Sequence, residues 1–285
     1  MQNKANNKIR WHRLLAKMFK ELLTPLNITV LFDVPVMINS PEADILLIRR
    51  ATSKWTDVQR MCLPDGIRDT MADHILIEFK FTESVNQNAL NQALAYDTFY
   101  KRAQKSLETK QLQSFVLSSK TPIKTTLEKF GYTKAIKPGV YHSKDIMLKG
   151  LYLIAINELS DAPHNDFVKC FASQKKQRQK VFKQLMQSDR QHLSTALYYF
   201  ISGIFKLMKR KEQGGLIMEK EITPDLVMDL GKEMYEAMLS RLRPEDFLKK
   251  FDSEEVLSKF KIEERLSGLT QEEIEAYLTK IKNKN

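Results

Sequence analysis

The run His74-Ile75-Leu76-Ile77-Glu78-Phe79-Lys80-Phe81 constrains this chain more than any other segment. Strands alternate faces with a period of two, so Ile75, Ile77, Phe79 and Phe81 can face a core while Leu76, Glu78 and Lys80 line the other side. A carboxylate and an ammonium then enter one space. Taken alone, such a pair is a surface ion pair worth under about 1 kcal/mol. The surrounding chain decides whether it is more.

At 285 residues with 42% hydrophobic content, 9 Gly and 9 Pro, the composition describes a helix-rich globular protein of one domain plus an extension, or two smaller ones. No apolar run approaches the roughly 20 residues needed to span a bilayer. The start, Met1-Gln2-Asn3-Lys4, leads into an amphipathic helical pattern without an export segment, and a cytoplasmic protein with no membrane partner is expected. Cys62 and Cys170 stand far apart and belong to no paired spacing, which supports neither a disulfide framework nor a zinc site. The net charge of +11 favours a polyanionic partner such as nucleic acid.

Apolar residues recur at helical intervals from Ile9 to Leu23, ahead of Pro25. Extended segments are predicted over 28–38 and 43–48, joined by an Asn39-Ser40-Pro41 turn. Residues 49–72, with Pro64-Asp65-Gly66, read as an excursion between two antiparallel strands, the second being 74–81. A helix is predicted over 86–103, followed by strands at 114–117, 139–142 and 151–156. From about Asn165 helix follows helix, with basic runs at Lys175–Arg178 and Lys206–Lys211 and a Gly214-Gly215 break. We therefore expect two regions, 1–164 with a mixed sheet and 165–285 all helical.

The last stretch carries a nine-residue repeat at 243–278, marked by Glu245-Asp246, Glu254-Glu255, Glu263-Glu264 and Glu272-Glu273. Nine residues is two and a half helical turns, so one continuous helix would send successive copies to opposite sides. Short helices broken near Asp252, Lys261 and Thr270 fit better. Thr270 and Glu273 have the spacing of a capping box.

Pairing 43–48 antiparallel with 74–81 brings Asp44 beside Glu78 and Lys80. Two carboxylates plus a backbone carbonyl make an oxygen-only site suited to Mg²⁺ or Mn²⁺, and a nearby lysine can orient or deprotonate a metal-bound water. That is the chemistry of phosphodiester hydrolysis. Pro41-Glu42-Ala43-Asp44 and Glu78-Phe79-Lys80 resemble the two strand motifs of the PD-(D/E)xK nuclease superfamily, and Gln92-Ala93-Leu94-Ala95-Tyr96 resembles the Gln-x-x-x-Tyr motif of its RecB-type branch. The repeat-bearing tail is similar to that of the Rpn/transposase-like nucleases.

The resemblance covers roughly the first 160 residues and implies an α/β restriction-endonuclease-like fold, a mixed sheet flanked by helices. It further implies Asp44, Glu78 and the Phe79 carbonyl as ligands of Mg²⁺ or Mn²⁺, Glu21 as an additional acidic ligand, Lys80 as the water-positioning cation, and Gln92 and Tyr96 as groups that orient Lys80 or contact phosphate. The implied activity is DNA hydrolysis in mobile-element recombination or defence, with a helical C-terminal region that grips DNA or forms a homodimer. Here the Pro-Asp pair is interrupted, while a literal Pro64-Asp65 lies in the excursion. Asp65 thus competes with Asp44, and Asp73 is a third candidate.

Plainer readings exist for several of these. Glu21 can pair with Lys17 at i−4, Tyr96 can be core, His74 can be solvated at a strand mouth, and Tyr198, Tyr199 and Phe200 can fill a helix interface. An RNase of the same fold, or a non-catalytic nucleic-acid-binding or assembly protein, would carry the same residues.

Overall fold

The computed structural model describes residues 10–35, 42–49, 54–104, 111–133, 135–187, 194–213, 222–240 and 252–282. The Asn39-Ser40-Pro41 turn, the Gly214-Gly215 break and the first copy of the nonapeptide lie outside these residues. The first helix, α1 (Trp11–Leu23), buries Trp11, Leu14, Leu15, Met18, Phe19 and Leu22, a stripe at the predicted spacing. A turn with Pro25 ends it, and Asn27 in the left-handed region at φ 60° delivers the chain into a strand.

Seven strands form one mixed sheet: β1 (Ile28–Pro35), β2 (Glu42–Arg49), β3 (His74–Lys80), β4 (Leu112–Ser118), β5 (Ala135–Lys137), β6 (Val140–His142) and β7 (Leu151–Ala155). Their spatial order is β1-β2-β3-β4-β7-β6-β5. The β1-β2-β3 meander is antiparallel, β3, β4 and β7 run parallel, and β6 and β5 close the far edge antiparallel. Parallel strands need a crossover, and α3 (Gln87–Ala103) supplies it between β3 and β4. A mixed sheet flanked by helices and followed by helices is the architecture the sequence predicted.

β3 sits in the middle of the sheet and is covered on both faces. Ile75, Ile77 and Phe79 join the large cluster under α1, while Leu76 packs with Tyr96 and Tyr100 of α3. A strand buried on both sides reads as an almost continuous apolar run, and the run from Ile75 to Phe81 is interrupted only where Glu78 and Lys80 stand. Between β2 and β3, the excursion forms a short helix, α2 (Asp57–Met61), and a turn at Pro64–Thr70. A short α4 (Lys124–Lys129) follows β4.

The same large cluster continues into the helices after residue 165. Phe167, Val168 and Phe171 belong to it through α5 (Asp166–Lys169) and its end, Val181, Phe182 and Leu185 through α6 (Lys175–Gln187), and Leu197, Phe200, Ile201 and Ile204 through α7 (Thr195–Glu212). Phe200 is thus core, whereas Tyr198 meets Tyr235 of α8 (Pro224–Leu239) edge to face and Tyr199 meets it at a tilt. Gly203 and Gly231 let α7 and α8 cross with backbones touching: a Cβ on Gly203 would lie 1.8 Å from the Val227 carbonyl oxygen, and one on Gly231 1.7 Å from that of Tyr199.

One compact unit therefore extends to Tyr235, so the boundary expected at 164 falls inside it, and a second takes in 236–285. The second unit holds α9 (Ser253–Ser258), α10 (Ile262–Leu266) and α11 (Gln271–Lys282). Each starts directly after Asp252, Lys261 or Thr270. Thr270 N–H donates to Glu273 Oε2 at 2.8 Å and Glu273 N–H to Thr270 Oγ1 at 3.3 Å, which is the capping box of the sequence. Among the described residues no helix is long and apolar enough to cross a membrane.

Candidate active site

The β2–β3 register, Ile45 against Ile77, puts Asp44 opposite Glu78 at the carboxyl end of β3. Asp44 Oδ2 accepts from the Phe79 backbone N–H at 2.7 Å, a bond that holds the carboxylate against the next strand. Glu78 is 4% exposed; its Oε1 accepts from Lys80 Nζ at 2.8 Å, and its buried Oε2 has no partner. Lys80 Nζ also donates to Gln92 Oε1 at 3.2 Å, and Gln92 Nε2 donates to Tyr96 Oη at 2.6 Å. Gln92 and Tyr96 sit one turn apart on α3, as an i, i+4 pair must. The structure thus links Glu78, Lys80, Gln92 and Tyr96 in one hydrogen-bonded chain and sets Asp44 beside it through the Phe79 N–H.

Electrostatics follow from this geometry. Burial and the neighbouring Glu78 push Asp44 up to about 8, against the pull of the Phe79 N–H and Lys80. Burial raises Glu78 as well, and Lys80 only partly offsets it. Without a cation the two carboxyls do not both ionise at neutral pH. For Lys80, burial alone would lower the pKa, but the Glu78 charge and hydrogen bond, with Asp44 and Glu83 behind them, hold it above the ordinary value. Lys80 is a fixed ammonium.

Three site residues left no mark in the sequence. Asp33, opposite Asp44 in the β1–β2 register, adopts φ 51°, a left-handed backbone that costs a non-glycine residue roughly 1–3 kcal/mol. Its carboxylate accepts from Arg13 Nε at 2.6 Å and meets His12 Nε2 at 2.9 Å. His12 Nδ1 lies 3.7 Å from Asp44 Oδ1. Burial lowers the His12 pKa more than Asp33 raises it, so the ring is neutral with its proton on Nε2 and a lone pair on Nδ1. The first turn of α1, not its last, reaches the site.

The other candidates lie elsewhere. Glu21 pairs with Lys17 at 2.8 Å, about 13 Å along the α1 axis from His12. Asp73 binds Arg49 at the opposite end of β3, where His74 Nδ1 meets Tyr100 Oη at 2.7 Å. Asp65 is fully engaged: its Oδ1 meets His164 Nε2 at 3.0 Å, and its Oδ2 accepts from Asn165 Nδ2 at 2.8 Å and Ser160 Oγ at 3.1 Å. Burial alone would raise its pKa, but those bonds win and hold it low. Arg68 donates to His164 Nδ1 at 2.6 Å, which fixes the Nε2–H tautomer and spends that ring too. Asp65 clamps the excursion to the 160–165 loop.

Sheet order, flanking helices and the position of these residues define a protein whose fold broadly resembles the restriction-endonuclease-like class. No family model matches the chain, and no match is found among curated proteins or solved structures.

A divalent cation fits the donors present in one respect: the orphaned Glu78 Oε2 is a buried acceptor with nothing to accept, beside an Asp44 whose charge burial opposes. Mg²⁺ and Mn²⁺ need only one or two carboxylates when waters complete the shell. Against this, among the described residues no group of three or more His, Cys, Asp or Glu is arranged to hold a metal ion.

Proposed function

We propose that the protein is a nuclease that hydrolyses phosphodiester bonds with the help of Mg²⁺ or Mn²⁺, and that DNA is its substrate. One observation carries this reading: a buried Glu78 beside a half-buried Asp44, with an unused acceptor oxygen on Glu78 and a lysine tied beside it. Uncompensated buried charge is costly, and such a pair is most simply explained by a cation that completes it.

Asp44, Glu78 and the Phe79 carbonyl would hold the ion. When bound, it lowers the pKa of water and neutralises charge on the phosphate. Asp44 is aimed by the Phe79 N–H, which leaves Oδ1 for the ion. Lys80, held above the ordinary lysine range, orients the attacking water and faces developing negative charge; it is a poor proton acceptor. Gln92 takes up one Lys80 hydrogen and is itself fixed by Tyr96, so the ammonium cannot swing away. Mobile-element recombination or defence against foreign DNA is the setting this activity suits.

A second reading has the ligand count on its side. A non-catalytic nucleic-acid-binding or assembly protein that keeps the nuclease-like fold needs no metal, and no three-side-chain metal group is present among the described residues. An RNase would use the same site. The deciding experiment incubates the protein with linear DNA, supercoiled DNA and RNA, in Mg²⁺, Mn²⁺ or chelator, alongside Lys80→Ala. Cleavage lost in both chelator and variant supports the nuclease; binding without cleavage in any metal supports the second reading.

A further inference from the structure

The basic end of α7 lies close to this site without being part of it. Trp11, next to His12 in α1, stacks on Phe81, next to Lys80, with ring centroids 3.8 Å apart and planes 17° from parallel. Lys211 Nζ stands 5.1 Å from the Trp11 ring centroid and 5.6 Å from that of Phe81. The ammonium is thus held over two ring faces and not over a carboxylate. This places the last turns of α7 beside the first turn of α1, at the same end of the sheet as Asp44 and Glu78.

A groove of about 230 Å³ opens alongside, between α6 and α7. Lys175 and Arg178 line one wall, Lys209 and Glu212 the other. Arg178 is 8% exposed and locked, with Nη1 donating to the Ala172 and Ser173 carbonyls at 2.6 and 2.7 Å and Nη2 to Glu212 at 2.5 Å. Lys175 meets Glu212 at 3.0 Å. One acid therefore faces three groove cations, and Lys211 adds a fourth nearby. Arg178 and Glu212 form a locked pair, and the positive charge left over sits on the exposed Lys175, Lys209 and Lys211, of which Lys211 is held over the two rings.

We propose that this end of α7 and its groove bind the sugar-phosphate backbone of the nucleic acid whose scissile phosphate lies at Asp44 and Glu78, with Lys209 and Lys211 each contacting one phosphate. The inference rests on the nucleic-acid reading above and adds where the flank of the strand runs: across the first turn of α1 onto α7. The Trp11–Phe81 stack is the floor that sets the height of Lys211 above that path.

The test measures binding, not cleavage. Anisotropy of labelled duplex and single-stranded DNA is titrated with the full chain in chelator over a range of NaCl, for the wild type, for Lys209→Gln with Lys211→Gln, and for Lys144→Gln with Lys149→Gln. The last pair removes the same charge from exposed lysines ahead of β7. The α7 pair should weaken binding roughly tenfold and lower the salt slope by about 2, with Lys211→Arg restoring its share, while the control pair changes little. Equal losses in both pairs, no loss in the α7 pair, or no binding by the wild type would each overturn the inference. Retained cleavage with unchanged affinity in the α7 pair would sink it and leave the nuclease standing; binding as described without cleavage would do the reverse.

Discussion

At the scale of residues, the site is a group of charges that fit together only when something neutralises Asp44. Its folded pKa of about 8 lies above the ordinary 3.8, so the metal-free folded protein keeps a proton that the unfolded chain releases from about pH 4 upward. The contribution of Asp44 to stability is therefore full below about pH 4, falls as pH rises through the window to about 8, and is flat beyond. Thermal melts in chelator from pH 5 to 9 should show that decline, and Asp44→Asn should flatten it. Lys80→Ala should cut cleavage by roughly 10²–10³ by removing a charge that faces the developing anion, and should lower stability too, since buried Glu78 loses its ion-pair partner and Gln92 a donor. Asp65→Ala should lower stability but spare metal-dependent turnover, because its partners tie a loop. Glu78, Lys80, Gln92 and Tyr96 were legible in sequence because their meeting needs only strand alternation and one helical turn. Asp33 and His12 were not. A left-handed residue in a strand and a histidine in an amphipathic helix acquire meaning only when α1 docks across β1 and β2.

At the scale of elements, the antiparallel β2–β3 pair was readable from pattern, since the short apolar runs and the acidic residue opposite Glu78 force one register. The short edge strand β5 was missed, because three residues with one bulged pairing carry no period. The nonapeptide breaks were readable for a local reason: two of the three helices begin after a residue whose backbone amide is capped by a glutamate three positions on, Lys261 N–H by Glu264 at 2.8 Å and Thr270 N–H by Glu273, and at the other Asp252 accepts from the Glu254 N–H. Thr270→Ala should cost the α11 start about 1 kcal/mol, visible as loss of amide-exchange protection in 271–275 alone. The α7–α8 crossing was invisible in sequence, where two glycines in helices look like weak points. Gly203→Ala must part the two backbones and should cost about 3 kcal/mol, a fall in Tm of roughly 6–12 °C.

At the scale of the whole molecule, the expected change of character at 165 is real in composition yet does not coincide with an edge of the core, since residues from Phe167 to Val227 bury their side chains in the cluster that begins at Trp11. Pattern shows where strands give way to helices; it does not show which helices cover α1. A divalent ion that binds the folded state should raise Tm at pH 8 by mass action, more than at pH 6 where Asp44 holds its proton, and Glu78→Gln should abolish the difference. The shared cluster also sets an order of events during synthesis. Every residue of the carboxylate site emerges within the first hundred, and β1 to β3 cover one side of α1 by then, but the side of α1 that meets α7 has no partner until that helix has left the ribosome, more than a hundred residues later. A nascent chain therefore carries the α7-facing side of α1 uncovered for several seconds at ordinary elongation rates. Chaperone capture in that interval would keep the unfinished chain soluble.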